Sequence, residues 1–237
     1  MKAAYDLHIH SALSPCADDD MTPNNIVNMS IIKGLDIISV TDHNSSFNLQ
    51  ALYNVSVRNG IMLIPGIEVQ TKEEVHMLCY FKNVRNAIEF GNIIYENLPD
   101  VENDEQLFGK QLIMDDMDNV IGKACKLLLS SADIPIDNLW DIVKSFKGVC
   151  IPAHVDRASY SIISNLGFIP STLNIKTVEI SKYEHFESFI EKFPYLKGLR
   201  TITSSDAHYL GDIFERQSFM DIDDFTCTAI FNYIKGK

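Results

Sequence analysis

Six of the seven histidines in this 237-residue chain stand at or beside the ends of short apolar runs, in company with carboxylates. The segments are Asp6-Leu7-His8-Ile9-His10, Thr41-Asp42-His43, Gly66-Ile67-Glu68, His76, Pro152-Ala153-His154 and Ser205-Asp206-Ala207-His208. One His-x-His pair alone is weak evidence of metal binding, because such pairs also occur as hydrogen-bonded surface or core features. Repetition of a good ligand after one apolar run and then the next is not expected of scattered histidines. Neutral imidazoles mixed with carboxylates suit zinc, iron or manganese, and a carboxylate such as Glu68 can bridge two ions. Two ions about 3.5–4 Å apart can hold a hydroxide and clamp the oxygens of an in-line displacement at phosphorus, which favours hydrolysis over redox chemistry. Phosphate oxygens also need donors, and Arg157, three residues past His154, offers a bidentate fork. Lys182 and Arg216 are weaker candidates for the same task.

These residues must be carried by elements that converge. Leu7 and Ile9 alternate with His8 and His10, so residues 3–10 read as a strand with both histidines on one face. Thr22-Pro23 opens a helix that Lys33-Gly34 ends, and Asp36 to Thr41 is a short β-branched run, completing a βαβ unit. Further strands are expected at 62–65, 75–81, 149–152, 177–180 and 200–203, with a last helix near 225–235. Between them, residues 84–146 read as an inserted, mainly helical subdomain with helices near 86–96, 116–130 and 137–146. The expectation is an α/β chain in two parts, a barrel domain from 1–83 and 147–237 and the insertion. In α/β barrels the strand ends meet on one rim, which makes neighbours of ligands distant in sequence.

Composition is that of an ordinary globular protein, 46% hydrophobic and 22% charged. The net charge of -12 supplies no basic stripe, so a long nucleic acid is not expected as a partner, while a small phosphorylated substrate fits a pocket made locally positive by its metals. Five cysteines with no C-x-x-C pair point away from a disulfide framework and toward a reducing cytoplasm. No run approaches a membrane span, and Asp6 and His8 interrupt any signal-like segment after Lys2, so neither membrane insertion nor secretion is expected. Cys16 and Cys79, although near the proposed ligands, are expected to pack rather than react.

Taken together, the six segments resemble, in type, order and spacing, the successive motifs of the PHP (polymerase and histidinol phosphatase) family, across residues 3–81 and 149–209. The resemblance implies a distorted (β/α)7 barrel holding two to three divalent ions. It places His8, His10, Glu68 and Asp206 at the first ion and Glu68, His76 and His154 at the second. The third would take His43, His208 and one residue of the loop Cys16-Ala17-Asp18-Asp19-Asp20. Asp18 is chosen for its offset from Thr22-Pro23, with Asp19 and Asp20 as alternatives. Where family phosphatases often carry Ile-Gly-Arg, this chain reads Ile213-Phe214-Glu215-Arg216, so substrate assignments resting on that segment do not transfer.

The expected activity is hydrolysis of a small phosphate monoester, a nucleotide or metabolite phosphate, with Glu68, Asp206 and Arg157 as the catalytic residues and a metal-bridging hydroxide as nucleophile. The alternatives are a nuclease on oligonucleotide ends, an amide hydrolase on a related barrel and a non-catalytic metal-binding module.

Overall fold

The structure, a computed structural model, describes residues 1–181 and 186–237; Lys182 and His185 lie outside the described residues. The chain begins with β1 (Lys2–Ile9), α1 (Pro23–Ile32), β2 (Ile37–Val40), α2 (Leu49–Asn59), β3 (Met62–Leu63), β4 (Gly66–Gln70) and β5 (His76–Tyr80). It continues through α3 (Val84–Glu96), α4 (Glu105–Phe108), β6 (Leu112–Met114), β7 (Val120–Lys123) and α5 (Ile136–Ser145). The last part holds β8 (Val149–Pro152), α6 (Ile162–Leu166), β9 (Thr177–Glu179), α7 (Phe186–Lys192), β10 (Arg200–Ile202), β11 (Phe219–Asp221) and α8 (Cys227–Ile234).

Local chemistry sets several of these boundaries. The Thr22 hydroxyl caps α1 by accepting from the Asn25 N–H, with Pro23 at the first helical position. Gly60 ends α2 in the left-handed conformation that glycine adopts without strain. The expected helix at 116–130 does not form. Instead the Asp115 carboxylate accepts from the Met117 and Asn119 N–H groups, each at 2.9 Å, and β6 and β7 pair as an antiparallel hairpin around that turn. Side-chain bonds of this kind offer the backbone an alternative to the helix. The hairpin tip then docks on α1, Thr22 donating to Asp118 at 2.8 Å. Segment 84–146 is therefore part helix, part hairpin and part extended chain, and Phe90, Ile94, Leu128 and Leu139 share one apolar cluster with Ile9, Val40 and Ile67.

The fold is mixed α/β. Its paired strands fall into separate sheets, β11-β1-β2-β3, β4-β5-β8, β9-β10 and β6-β7. Isolated bridges join the first three at one end: Ile9 with Ala207, and His43 with Glu68. Val155 donates to the Glu179 carbonyl at 2.9 Å and Ile180 to that of Ile202 at 3.0 Å, so backbone contacts run in a circuit through β1, β2, β4, β5, β8, β9 and β10. Alternate strand residues serve two cores. Met77, Cys79 and Cys150 face the cluster shared with the helices, whereas Tyr5, Leu7, Leu78, Tyr80, Val149 and Ile151 gather with Ile230 and Phe231 of α8. Among the described residues no helix is long and apolar enough to cross a membrane.

Candidate metal centre

The segments that carry the expected ligands meet at one end of this circuit. β1 delivers His8 and His10, the end of β2 delivers His43, and the end of β8 delivers His154. His76 opens β5, which runs antiparallel to both β4 and β8, so its N-terminal end arrives where the other strands finish. Glu68 sits inside β4, paired with Leu78 across the sheet. Gly66 allows that strand to approach β2: a Cβ there would lie 2.5 Å from Ser39 Oγ and 2.7 Å from Thr41 Cγ2. His154 and Asp206 have positive φ, 30° and 53°, costly conformations for non-glycine residues that cluster at functional sites.

Glu68 is the hub. Its Oε1 lies 2.9 Å from His76 Nδ1, 3.3 Å from His154 Nε2 and 3.4 Å from His8 Nε2. Its Oε2 lies 3.0 Å from His43 Nδ1 and 3.5 Å from His10 Nε2. Asp206 Oδ1 adds contacts of 3.2 Å to His8 Nε2 and 3.0 Å to His10 Nε2, while His208 Nδ1 is 3.8 Å away. The expected residues His8, His10, His43, Glu68, His76, His154, Asp206 and His208 are thus brought together. Asp18 is not: its Oδ1 accepts the Asp20 N–H at 2.9 Å, folding the carboxylate onto its own loop. Asp19 pairs with Lys110 instead of facing the centre.

Burial with so few cations sets the electrostatics. Burial opposes charge on His8, yet Glu179, Asp206 and Glu68 hold its pKa well above the usual imidazole range, and Glu68 does the same for His43. Burial, with His208 and His43 beside it, pushes His10 down, and burial lowers His76. Against their own burial, Glu68 and Asp206 are held well below the usual carboxylate range, Glu68 by His76, His8 and His43, Asp206 by His8 and His10.

Three features fit divalent ions. Imidazole nitrogens and carboxylate oxygens about 2.0–2.2 Å from an ion stand about 3.3–3.5 Å apart in a tetrahedral set, close to the spacings around Glu68. His8 Nε2 and His10 Nε2 face each other at 3.1 Å, an arrangement that a shared ion rationalises better than a shared proton. His154 Nδ1 is buried without a hydrogen-bond partner, a costly state that ligation or water relieves. Donor atoms also group as His8, His10 and Glu68, as His43, Glu68 and His76, and as His10, His43 and His208.

Supporting residues fix the ligands. Asp42 accepts from the Ser11 N–H at 2.7 Å and from the Ser14 hydroxyl at 2.8 Å; Ser14 Oγ in turn lies 3.0 Å from His10 Nδ1 and accepts from the His43 N–H. Asp42 thus positions His10 through Ser14. Glu179, absent from the sequence-based set, lies 2.9 Å from His8 Nδ1 and accepts from the His154 N–H at 3.1 Å. Such a carboxylate orients an imidazole ligand and raises its basicity. Its signal was its place at the end of the Thr177 strand, the same place the ligands occupy. Cys16 also differs from the packing role expected of it. Although desolvation raises a thiol's pKa, the His208 and His43 imidazoles nearby bring this one, on an exposed residue, down to about 6. Cys79 and Cys150 do pack in the core, their sulfurs 3.5 Å apart.

The centre lies at the base of a pocket of about 120 Å³ lined by His43, Glu68, His76, His154, Arg157, Ser159, Tyr160, Asp206 and His208. Its exposed rim is segment 157–160, where the Tyr160 ring stacks on His76 at 5.0 Å. Arg157 Nη1 reaches Asp206 Oδ2 at 2.6 Å, placing the guanidinium over the ligands. Arg216 instead pairs with Asp36 at 2.9 Å and donates to the Gly34 carbonyl, away from the pocket.

The family profile described as PHP domain matches residues 6–169. An uncharacterized protein of Methanocaldococcus jannaschii is 28% identical over 156 residues, 63% of this chain and 18% of that protein. A 5'-3' exoribonuclease of Haemophilus influenzae is 30% identical over 74 residues, 31% of this chain and 26% of that enzyme. The lesion-specific endonuclease EndoQ of Pyrococcus furiosus superposes with a TM-score of 0.74 at 18% identity, covering 100% of this chain and 56% of that one. The same fold, TM-score 0.69 and 17% identity over 100% of this chain and 57% of the other, appears in Endonuclease Q complexed with a 27-mer duplex bearing an abasic lesion at its active site. This chain therefore spans less than two thirds of each of these proteins. The complex corrects the expectation that a long nucleic acid is an improbable partner. Net charge averages over the whole body, whereas phosphates meet a local field that metal ions can make positive.

Proposed function

The chain belongs to the PHP domain family, and on that footing we propose that it is a phosphoesterase whose Glu68-centred ligands hold two to three divalent ions, zinc, manganese or iron. Membership places it among metal-dependent hydrolases. We read the circuit of strands as the distorted (β/α)7 barrel, with the site on its rim and segment 84–146 inserted.

The observation that carries the reading is the approach of five imidazoles to one buried carboxylate, Glu68, beside a second, Asp206. Bound there, the ions would supply Lewis acidity, activating water and neutralising charge on phosphoryl oxygens. The protein's own part is positional. Glu68 and Asp206 supply the anionic ligands, and Glu179 and Ser14 fix the His8 and His10 rings. Arg157 pairs with Asp206 and, were that carboxylate taken up in holding an ion, its guanidinium would be available to a phosphate oxygen. A pocket of about 120 Å³ has room for a phosphoryl group and little more, so the remainder of the substrate lies outside, past Arg157, Ser159 and Tyr160.

Our first reading of that substrate is a phosphate monoester, a nucleotide or metabolite phosphate, whose terminal phosphoryl enters the pocket. A second reading, cleavage at the end of a nucleic acid strand, is favoured by the exoribonuclease and endonuclease similarities and needs only a longer group outside the same pocket. Metal-loaded protein assayed on mononucleotides, metabolite phosphates and oligonucleotides of defined ends tests both. Release of inorganic phosphate from small monoesters supports the first; release of nucleotides from oligonucleotides, with small monoesters untouched, supports the second and overturns the first.

A further inference from the structure

At the end of the strands opposite the metal centre lies a second cavity, of about 420 Å³, that shares no lining residue with the first. It sits on the seam between β8 and β9. Each strand pairs elsewhere, β8 with β5 and β9 with β10, and the Val155 and His154 N–H groups that donate to Glu179 across the seam do so at the metal end. Toward the other end the walls are Val149 and Ile151 of β8, Thr177 of β9, Trp140 and Val143 of α5, and Ile234 of α8.

Around these mainly apolar walls the charge is of one sign. Lys144, Lys176, Lys235 and Lys237 line the cavity and no carboxylate side chain does, in a chain whose 32 acidic residues outnumber its 20 basic ones. Chance placement on so acidic a body would favour the opposite sign. Lys144 has Asp141 at 3.9 Å, whereas Lys176, Lys235 and Lys237 make no ion pair among the described residues. Burial, with Lys82 and Lys237 beside it, pushes the Lys235 ammonium below its ordinary pKa, as expected where cations gather without an anion. On the β9 wall the Thr177 hydroxyl is buried without a hydrogen-bond partner, a state that a polar ligand relieves.

We propose that this cavity binds a small amphipathic anion, its apolar body against Trp140, Val143 and Ile151 and its phosphate, sulfate or carboxylate head among Lys144, Lys176 and Lys235. The volume falls within the about 300–1,000 Å³ of small-ligand sites, whose linings are mainly apolar with a few placed polar groups. Here the protein's own ammonium groups meet the anion, so binding needs no metal.

Trp140 is the only tryptophan of the chain, and its emission therefore reports on the cavity. Titration with 8-anilinonaphthalene-1-sulfonate should quench Trp140 as one molecule binds per chain, equally in metal-loaded and metal-free protein. Lys176 and Lys235 are both exposed, so their replacement is compatible with folding. Lys176→Glu with Lys235→Glu should weaken the binding at least about tenfold, and Lys176→Gln with Lys235→Gln should weaken it in the same direction. N-phenyl-1-naphthylamine, the same aromatic body without the sulfonate, should bind wild-type protein at least about tenfold more weakly. Laurate or ADP should displace the sulfonate probe, the first marking an aliphatic body and the second an aromatic one. No quenching of Trp140, equal affinity in wild type and both lysine pairs, equal binding of the uncharged probe, or displacement by neither anion overturns the assignment.

Discussion

At the scale of single residues, Glu68 is the group on which the others depend, since its two oxygens meet His8, His10, His43, His76 and His154. Glu68→Gln should leave the fold in place and remove both metal loading and turnover, read by elemental analysis beside an ester assay. Glu179 touches no substrate and acts by aiming His8. Glu179→Gln should weaken metal affinity by about 10–100-fold, seen in a chelator competition, with turnover recovered at high metal. Arg157→Ala removes a charge-assisted contact worth about 1.5–3 kcal/mol, about ten- to hundredfold in kcat/KM, while metal content stays at the wild-type level. The convergence of these residues was anticipated from the sequence because most of them stand at or beside the ends of apolar runs that a strand needs for burial. Glu179 was passed over although it too stands at the end of the Thr177 strand, because its role depends on the His8 ring that it meets across the fold.

At the scale of elements, the site depends on close passage of β4 against β2. Gly66→Val should clash with Ser39 and Thr41, lowering stability by about 1–3 kcal/mol in denaturant unfolding and loosening Glu68 from His43. Loss of metal affinity without loss of stability would show that the glycine serves some other end. The strands β1, β2, β5, β8, β9 and β10 lie within a residue or two of where their apolar runs place them. The direction of β5 was not legible, because period and composition are the same for parallel and antiparallel strands. Direction matters here: only the antiparallel course brings His76 to the rim. The hairpin of β6 and β7 was read as helix for a related reason, its turn being fixed by Asp115 side-chain bonds that outweigh helix propensity.

At the scale of the whole molecule, the proposed function would reconcile the acidic body with the cationic needs of a phosphate at the centre, where bound ions would reverse the local sign. That exchange of protons for metal has a pH signature. His8 and His43, raised in the folded chain, add stability to the metal-free protein that is complete below the unfolded imidazole pKa and is lost as pH rises through their folded values. Glu68 and Asp206, held down, add stability that is present above the unfolded carboxylate pKa and is lost as pH falls through their folded values. His10 and His76, held down in the folded chain, offset the His8 and His43 contribution below about pH 6.5, so metal-free protein should lose stability as pH falls through the carboxylate range, and the stabilisation by metal should grow toward higher pH. Calorimetry with and without zinc across pH checks both expectations. The most direct test of the central claim is turnover of phosphate esters measured while ions are returned stepwise to metal-stripped protein. The account predicts no hydrolysis without metal and a rise only as the ligands around Glu68 fill; hydrolysis by the stripped protein, or none by the fully loaded one on any phosphate ester, would contradict it.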